Sequence, residues 1–211
     1  MELNLLLLTL ALLSAVSLRP WRLLQGATRL TPLLATLTIV PWLWAMPSLH
    51  KMPLQLQGSG ACLVVLILGW PLAIPVLCAV GLIAWLVSPM DWEQALDLIV
   101  WLGIVPATLA LALGAGIRRW IGPHLFVYIL ARAFIGTALC VFAAGILAQW
   151  ADHSLPGIED DLSLVAHWLA AWGDAFLTGM FTAIMVAYKP AWLATWSDQL
   201  YLKKPSDPGS H

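Results

Sequence analysis

Ser59–Ser88 reads SGACLVVLILGWPLAIPVLCAVGLIAWLVS, 30 consecutive residues without a charge. As one helix it would run roughly 45 Å, against a hydrocarbon core of about 30 Å. The stretch is too long for an ordinary span, and it carries its own break. Gly69-Trp70-Pro71 sits in its middle and Pro75 follows. Proline lacks the backbone donor and crowds the preceding turn, so the segment is expected to form two short helices or one kinked helix.

Charge chooses between these. Other apolar stretches run Leu3–Leu18, Leu30–Leu49, Leu98–Ile117, His124–Trp150 and Leu162–Tyr188. Basic residues favour cytoplasmic loops. Two crossings in the quoted stretch put Arg19, Arg22, Arg29, Arg118, Arg119, Lys189, Lys203 and Lys204 on one side. Glu2 and the acidic loops at Asp91–Glu93 and Asp152–Asp161 fall on the other, with Lys51 the exception. One crossing would put Arg118 and Arg119 opposite the first basic group. The expected fold is therefore an all-α polytopic membrane protein of about seven transmembrane helices, N-terminus outside and C-terminus cytoplasmic. Residues 1–190 form the membrane domain and 191–211 a cytoplasmic or interfacial tail. Trp21, Trp70, Trp92, Trp120, Trp150 and Trp192 lie at span ends, as interfacial anchors do.

Composition agrees. Of 211 residues, 61% are apolar and 10% charged, with a net charge of -1. A soluble domain is roughly 25% charged. This balance excludes a disordered chain, a nucleic-acid binder and a disulfide scaffold. Cys62, Cys78 and Cys140 all fall inside spans without CxxC spacing, which points to buried packing. The N-terminus lacks a basic n-region and is read as a retained first helix.

Charges within the spans mark candidate functional residues. Arg132 and Asp174 stand on consecutive antiparallel helices, and each costs about 2.5–3.5 kcal/mol to insert. They are expected to pair, either fixing the helices or lining a substrate cavity. His50 and Gln57 flank the loop before the third span, with Met46 and Met52 nearby as soft donors. His167 lies in the last span and can face the same outer cavity. Catalysis has little support: there is no HExxH and no Walker A, and Gly58-Ser59-Gly60 misses the rhomboid-like spacing by one residue. The chain is not expected to be an enzyme.

Three segments carry a family resemblance. They are Gly60-Ala61-Cys62-Leu63 through Gly69-Trp70-Pro71-Leu72-Ala73; Pro123–Ile129 with Ala133-Phe134-Ile135-Gly136; and Asp174–Met180 with Pro190–Trp196 and Asp198–Leu202. Together the chain resembles the CbiM/NikM-like group of energy-coupling-factor ABC transporter permeases for cobalt or nickel, in a divergent proteobacterial branch. The resemblance implies a seven-helix, substrate-specific subunit in the bacterial inner membrane. It would work with a second membrane subunit and ABC ATPases. Co²⁺ or Ni²⁺ would be its substrate, and no resident cofactor is implied. The family's metal ligands are the N-terminal amine, a second-position His and a His before the glycine-alanine pair. Here those side chains are Glu2 and Gln57, which leaves His50 and Gln57 as the candidate metal donors. The alternative is a non-transporting interaction or assembly protein that keeps the scaffold, with the tail around Trp192, Trp196 and Tyr201 as a docking segment.

Overall fold

The structure, a computed structural model, describes residues 2–20, 30–50, 58–122, 124–151 and 160–196. Gln57 lies outside these, as do Arg22, Arg29, Lys51, Lys203 and Lys204. Among the described residues every regular element is helical. α1 is Glu2–Ser17, α2 Leu30–His50, α3 Ala61–Leu68 and α4 Trp70–Val87. α5 is Trp92–Trp120, α6 Val127–Trp150 and α7 Asp160–Tyr188, followed by a 3-10 turn at Pro190–Trp192.

Five of these helices are long and apolar enough to cross a membrane: Leu30–Leu49, Trp70–Val87, Trp92–Trp120, Val127–Trp150 and Ser163–Tyr188. The bundle turns apolar side chains outward, with Leu13 73% and Leu86 75% exposed. In water such a coat would be an aggregation liability, whereas in hydrocarbon it is the proper solvent-facing surface.

The break expected in Ser59–Ser88 is present at Gly69, whose φ of 79° and ψ of 150° belong to a region that is essentially glycine-only. The two pieces are unequal. α4 has 18 residues, but α3 has 8, about 12 Å of helix, and by itself does not cross. α3 is short because a glycine stops it at each end. Gly60, at φ 64°, sets the left-handed entry, and Gly69 sets the exit.

α3 is the central rod. It packs against α2, α4, α5, α6 and α7. Seven of its eight residues are buried. α4 in turn packs against α1, α2 and α5. α1 is tied to α5 by the buried Asn4 side chain, which donates to the Asp97 carboxylate. α6 and α7 form the most extensive pair in the bundle, aligned by edge-on contacts of Phe134 with Trp172 and Phe176 and of Phe142 with Trp168.

Two long helices are wider than α over part of their length. α5 is π-helical at Leu98–Ile104 and α6 at Val127–Ile135. Pro106 has no N–H to give to Leu102, four residues earlier. That carbonyl instead accepts the Ser59 hydroxyl at 2.6 Å.

The expected tail begins as part of the bundle. Leu193 is 2% exposed, and Ala194 N–H and Thr195 N–H donate to the Ile67 and Leu66 carbonyls at 2.9 and 3.3 Å. These are end carbonyls of α3, left without helical partners. Trp196 packs edge-on against Tyr128. The first residues of the tail, Leu193–Trp196, therefore pack on the bundle, and the rest of the tail lies outside the described residues.

Replacing Gly69 with alanine forces a Cβ into the left-handed exit, at a cost of about 1–3 kcal/mol. Gly116 is a control, because a Cβ there meets nothing within 4 Å. Thermal unfolding of purified protein in detergent is expected to show Gly69→Ala melting lower and Gly116→Ala unchanged.

Candidate functional site

Asp174 stands at the middle of the 29-residue α7 and is 3% exposed. Its Oδ2 accepts the Ser59 N–H at 2.8 Å and the Gly60 N–H at 3.2 Å. The first N–H groups of a helix have no partner inside it. Ser59 closes the remainder of the entry: its Oγ accepts from Ala61 N–H at 3.1 Å, and its carbonyl accepts Trp44 Nε1–H at 2.9 Å. Trp44 is fully buried, and its ring occupies the space that a Cβ on Gly103 would contest at 3.0 Å. Gly58 is held against Asp174 as well, since a Cβ there would stand 3.1 Å from Oδ1. A carboxylate, an interrupted helix and a glycine-serine-glycine entry thus form one cradle at mid-bundle.

Asp174 continues into a polar file. Ser163, His167, Asp174, Thr178 and Thr182 recur at spacings of 4, 7, 4 and 4, one face of α7. Ser163, Asp174, Thr178 and Thr182 are all buried. Ser163 to Thr182 spans about 28 Å, close to the roughly 30 Å hydrocarbon thickness. His167 Nδ1–H donates to the Ser163 carbonyl at 2.8 Å, and its ring lies where a Cβ on Gly145 would stand. The Thr182 hydroxyl is buried with no partner among the described residues. A buried hydroxyl left this way is costly in an apolar setting.

Arg132 and Asp174 do not pair. All the hydrogen bonds of Asp174 to described residues are to the α3 entry. Arg132 is half-buried, with its guanidinium 5.6 Å from the centre of the Tyr128 ring and packed on Gly114, and its Nε has no hydrogen-bond partner among the described residues. Tyr128 Oη and Thr195 Oγ1 are hydrogen-bonded at 2.7 Å, and Thr195 Oγ1 donates to the Leu66 carbonyl at 3.0 Å. Asp174 therefore serves the amide end of α3, where the helix dipole favours an acid, while Arg132 is held between α5 and α6.

Of the expected metal donors, His50 is the last residue of α2 and Gln57 lies outside the described residues. Among the described residues no three His, Cys, Asp or Glu side chains converge to hold a metal ion. Cys62 and Cys140 share one buried cluster with Val141 and Ala171, and all three cysteines are free. Sequence reasoning missed the Ser163–Thr182 file and the Asn4–Asp97 tie. The file was readable as polar residues at helical spacing on either side of Asp174.

The fold and this site define a class: an all-helical membrane protein with a discontinuous inner helix anchored by a buried carboxylate. No family model matches the chain, and no curated protein or solved structure matches it either.

Asp174→Leu leaves the Ser59 and Gly60 amides without an acceptor and is expected to destabilise the protein by about 2–5 kcal/mol. Asp174→Asn keeps one acceptor oxygen and costs less. Because Arg132 and Asp174 do not touch, Arg132→Gln combined with Asp174→Asn is expected to add to within about 0.5 kcal/mol. Denaturant titration in micelles reads all four proteins, and mutual rescue in the double variant would restore the ion pair.

Proposed function

We propose that this chain is the substrate-specific membrane subunit of an energy-coupling-factor type transporter, with a transition-metal ion such as Co²⁺ or Ni²⁺ as its substrate. The observation that carries the reading is the Asp174 cradle. A buried carboxylate meets the amide end of an interrupted helix at mid-bundle, the arrangement that secondary transporters use for ion and substrate sites. The polar file from Ser163 to Thr182 supports it, because ionisable and polar groups inside a membrane mark solute paths. The family resemblance supplies the metal, and its donors are assigned to His50 and Gln57. Energy comes from partner ATPases and a second membrane subunit.

The topology that goes with this reading has the N-terminus outside a bacterial inner membrane and Arg118, Arg119 and Lys189 in the cytoplasm. It is supported by the depth of α3. Its entry is level with the middle of α7, and its exit is level with Ala194 and Thr195, beyond the end of α7. Counting α3 as a passage gives seven, and seven passages keep both basic ends on one side. A cysteine at position 119, in a background lacking the native cysteines, is expected to react with an impermeant maleimide only after the cells are opened.

A second reading is an assembly factor that keeps the scaffold. It is favoured by the Ala194–Trp196 segment, which closes the bundle as a structural lock rather than a channel. Uptake separates the two. Cells carrying the chain with its partner subunits are expected to accumulate nickel or cobalt above empty-vector controls. Thr182→Val removes a hydroxyl without a partner among the described residues, so it should melt at or above wild type and yet slow uptake several-fold. No uptake with all partners present, together with recovery of a membrane enzyme and no ATPase in a pull-down, would favour the assembly reading.

A further inference from the structure

The outer surface between α5 and α6 carries a groove that the proposed transport path does not use. Leu109, Ala112, Leu113, Gly116, Ile117 and Trp120 line it from α5, at spacings of 3, 1, 3, 1 and 3 that make one helical face. Leu139, Cys140 and Ala143 line it from α6. The cavity measures about 500 Å³ and is almost wholly apolar. It exists because Ala112, Gly116 and Ala143 are small where larger residues would fill the seam. A Cβ on Gly116 meets nothing within 4 Å, so the space is open.

Its length matches one leaflet. Leu109 to Ile121 covers about 18 Å along the helix, near the roughly 15 Å half-thickness of the hydrocarbon core. Its mouth lies at the interfacial end of α5. Trp120 is 86% and Ile121 56% exposed there, and Arg118 and Arg119 are exposed beside them. Arg119 follows Gly116 by three residues, on the same side of the helix. Among the described residues neither arginine has an ion-pair partner.

We infer that this groove is a binding site for one anionic phospholipid, an acyl chain lying in the seam and the phosphate held by Arg119. The apolar, leaflet-deep groove accounts for the chain, and the unpaired Arg119 beside its mouth selects the charge of the headgroup.

Native mass spectrometry of the full-length protein, titrated with phosphatidylglycerol or phosphatidylcholine of the same chains, tests this. Wild type is expected to retain one phosphatidylglycerol with a roughly fivefold preference, the contribution of one arginine. Gly116→Leu fills the groove and should abolish retention of the single lipid while melting at the wild-type temperature. Arg119→Gln should hold both lipids alike. That side chain is exposed, so the variant decides alone if Gly116→Leu fails to fold. Equal retention of the two lipids by wild type, or undiminished preference in the arginine variant, overturns the proposal. So does a wild-type dimer that Gly116→Leu converts to monomer, which would assign the groove to a second copy. None of these readouts depends on transport.

Discussion

A short helix in the middle of a bundle has eight backbone groups at its ends that it cannot satisfy itself, and in hydrocarbon there is no water to satisfy them. Everything distinctive in this protein answers that constraint. The donors of the α3 entry go to Asp174 and to the Ser59 hydroxyl, and two acceptors at its exit go to Ala194 and Thr195. Both ends are thus held by the final part of the chain. The supporting pieces follow from this: Trp44 braces the Ser59 carbonyl, and Pro106 releases the Leu102 carbonyl to receive the Ser59 hydroxyl.

The same constraint explains why opposite charges in the membrane need not seek each other. A carboxylate that accepts two backbone N–H groups is compensated without a cation. An arginine set over a tyrosine ring is partly compensated without an anion. Keeping the two apart lets Asp174 meet the end of the α3 dipole that it complements. It also leaves Asp174 at the centre of the polar file rather than bound up in an ion pair, which is where a solute-handling role would need it.

Much of the architecture was legible in the residues. Apolar runs and their flanking charges gave the helices, and Gly69-Trp70-Pro71 gave the break. What failed to show was length. Nothing in Cys62–Leu68 signals that the helix starts only at Ala61, because the stop comes from the left-handed turn at Gly60 and from an acceptor 114 residues away. The Arg132–Asp174 pairing was a reasonable inference from charge alone, but a count of side-chain charges does not see backbone donors and acceptors as competitors. Likewise Leu193–Trp196 read as a polar tail with aromatic anchors, since local hydropathy carries no trace of the α3 carbonyls that this segment covers. The donors assigned to a metal, His50 and Gln57, came from their place beside one loop and from the resemblance, and no helical spacing within the chain supports them.

The sequence separations across α3 set an order on biosynthesis. Its entry waits for a residue 115 positions later and its exit for one 129 positions later. A ribosome must therefore release the chain as far as Thr195 before the central rod can settle. Until then, the nascent bundle holds an unfinished segment that the insertion machinery has to shelter. A truncation removing only the last described turn would leave that segment permanently unfinished, although every long span would already be in place.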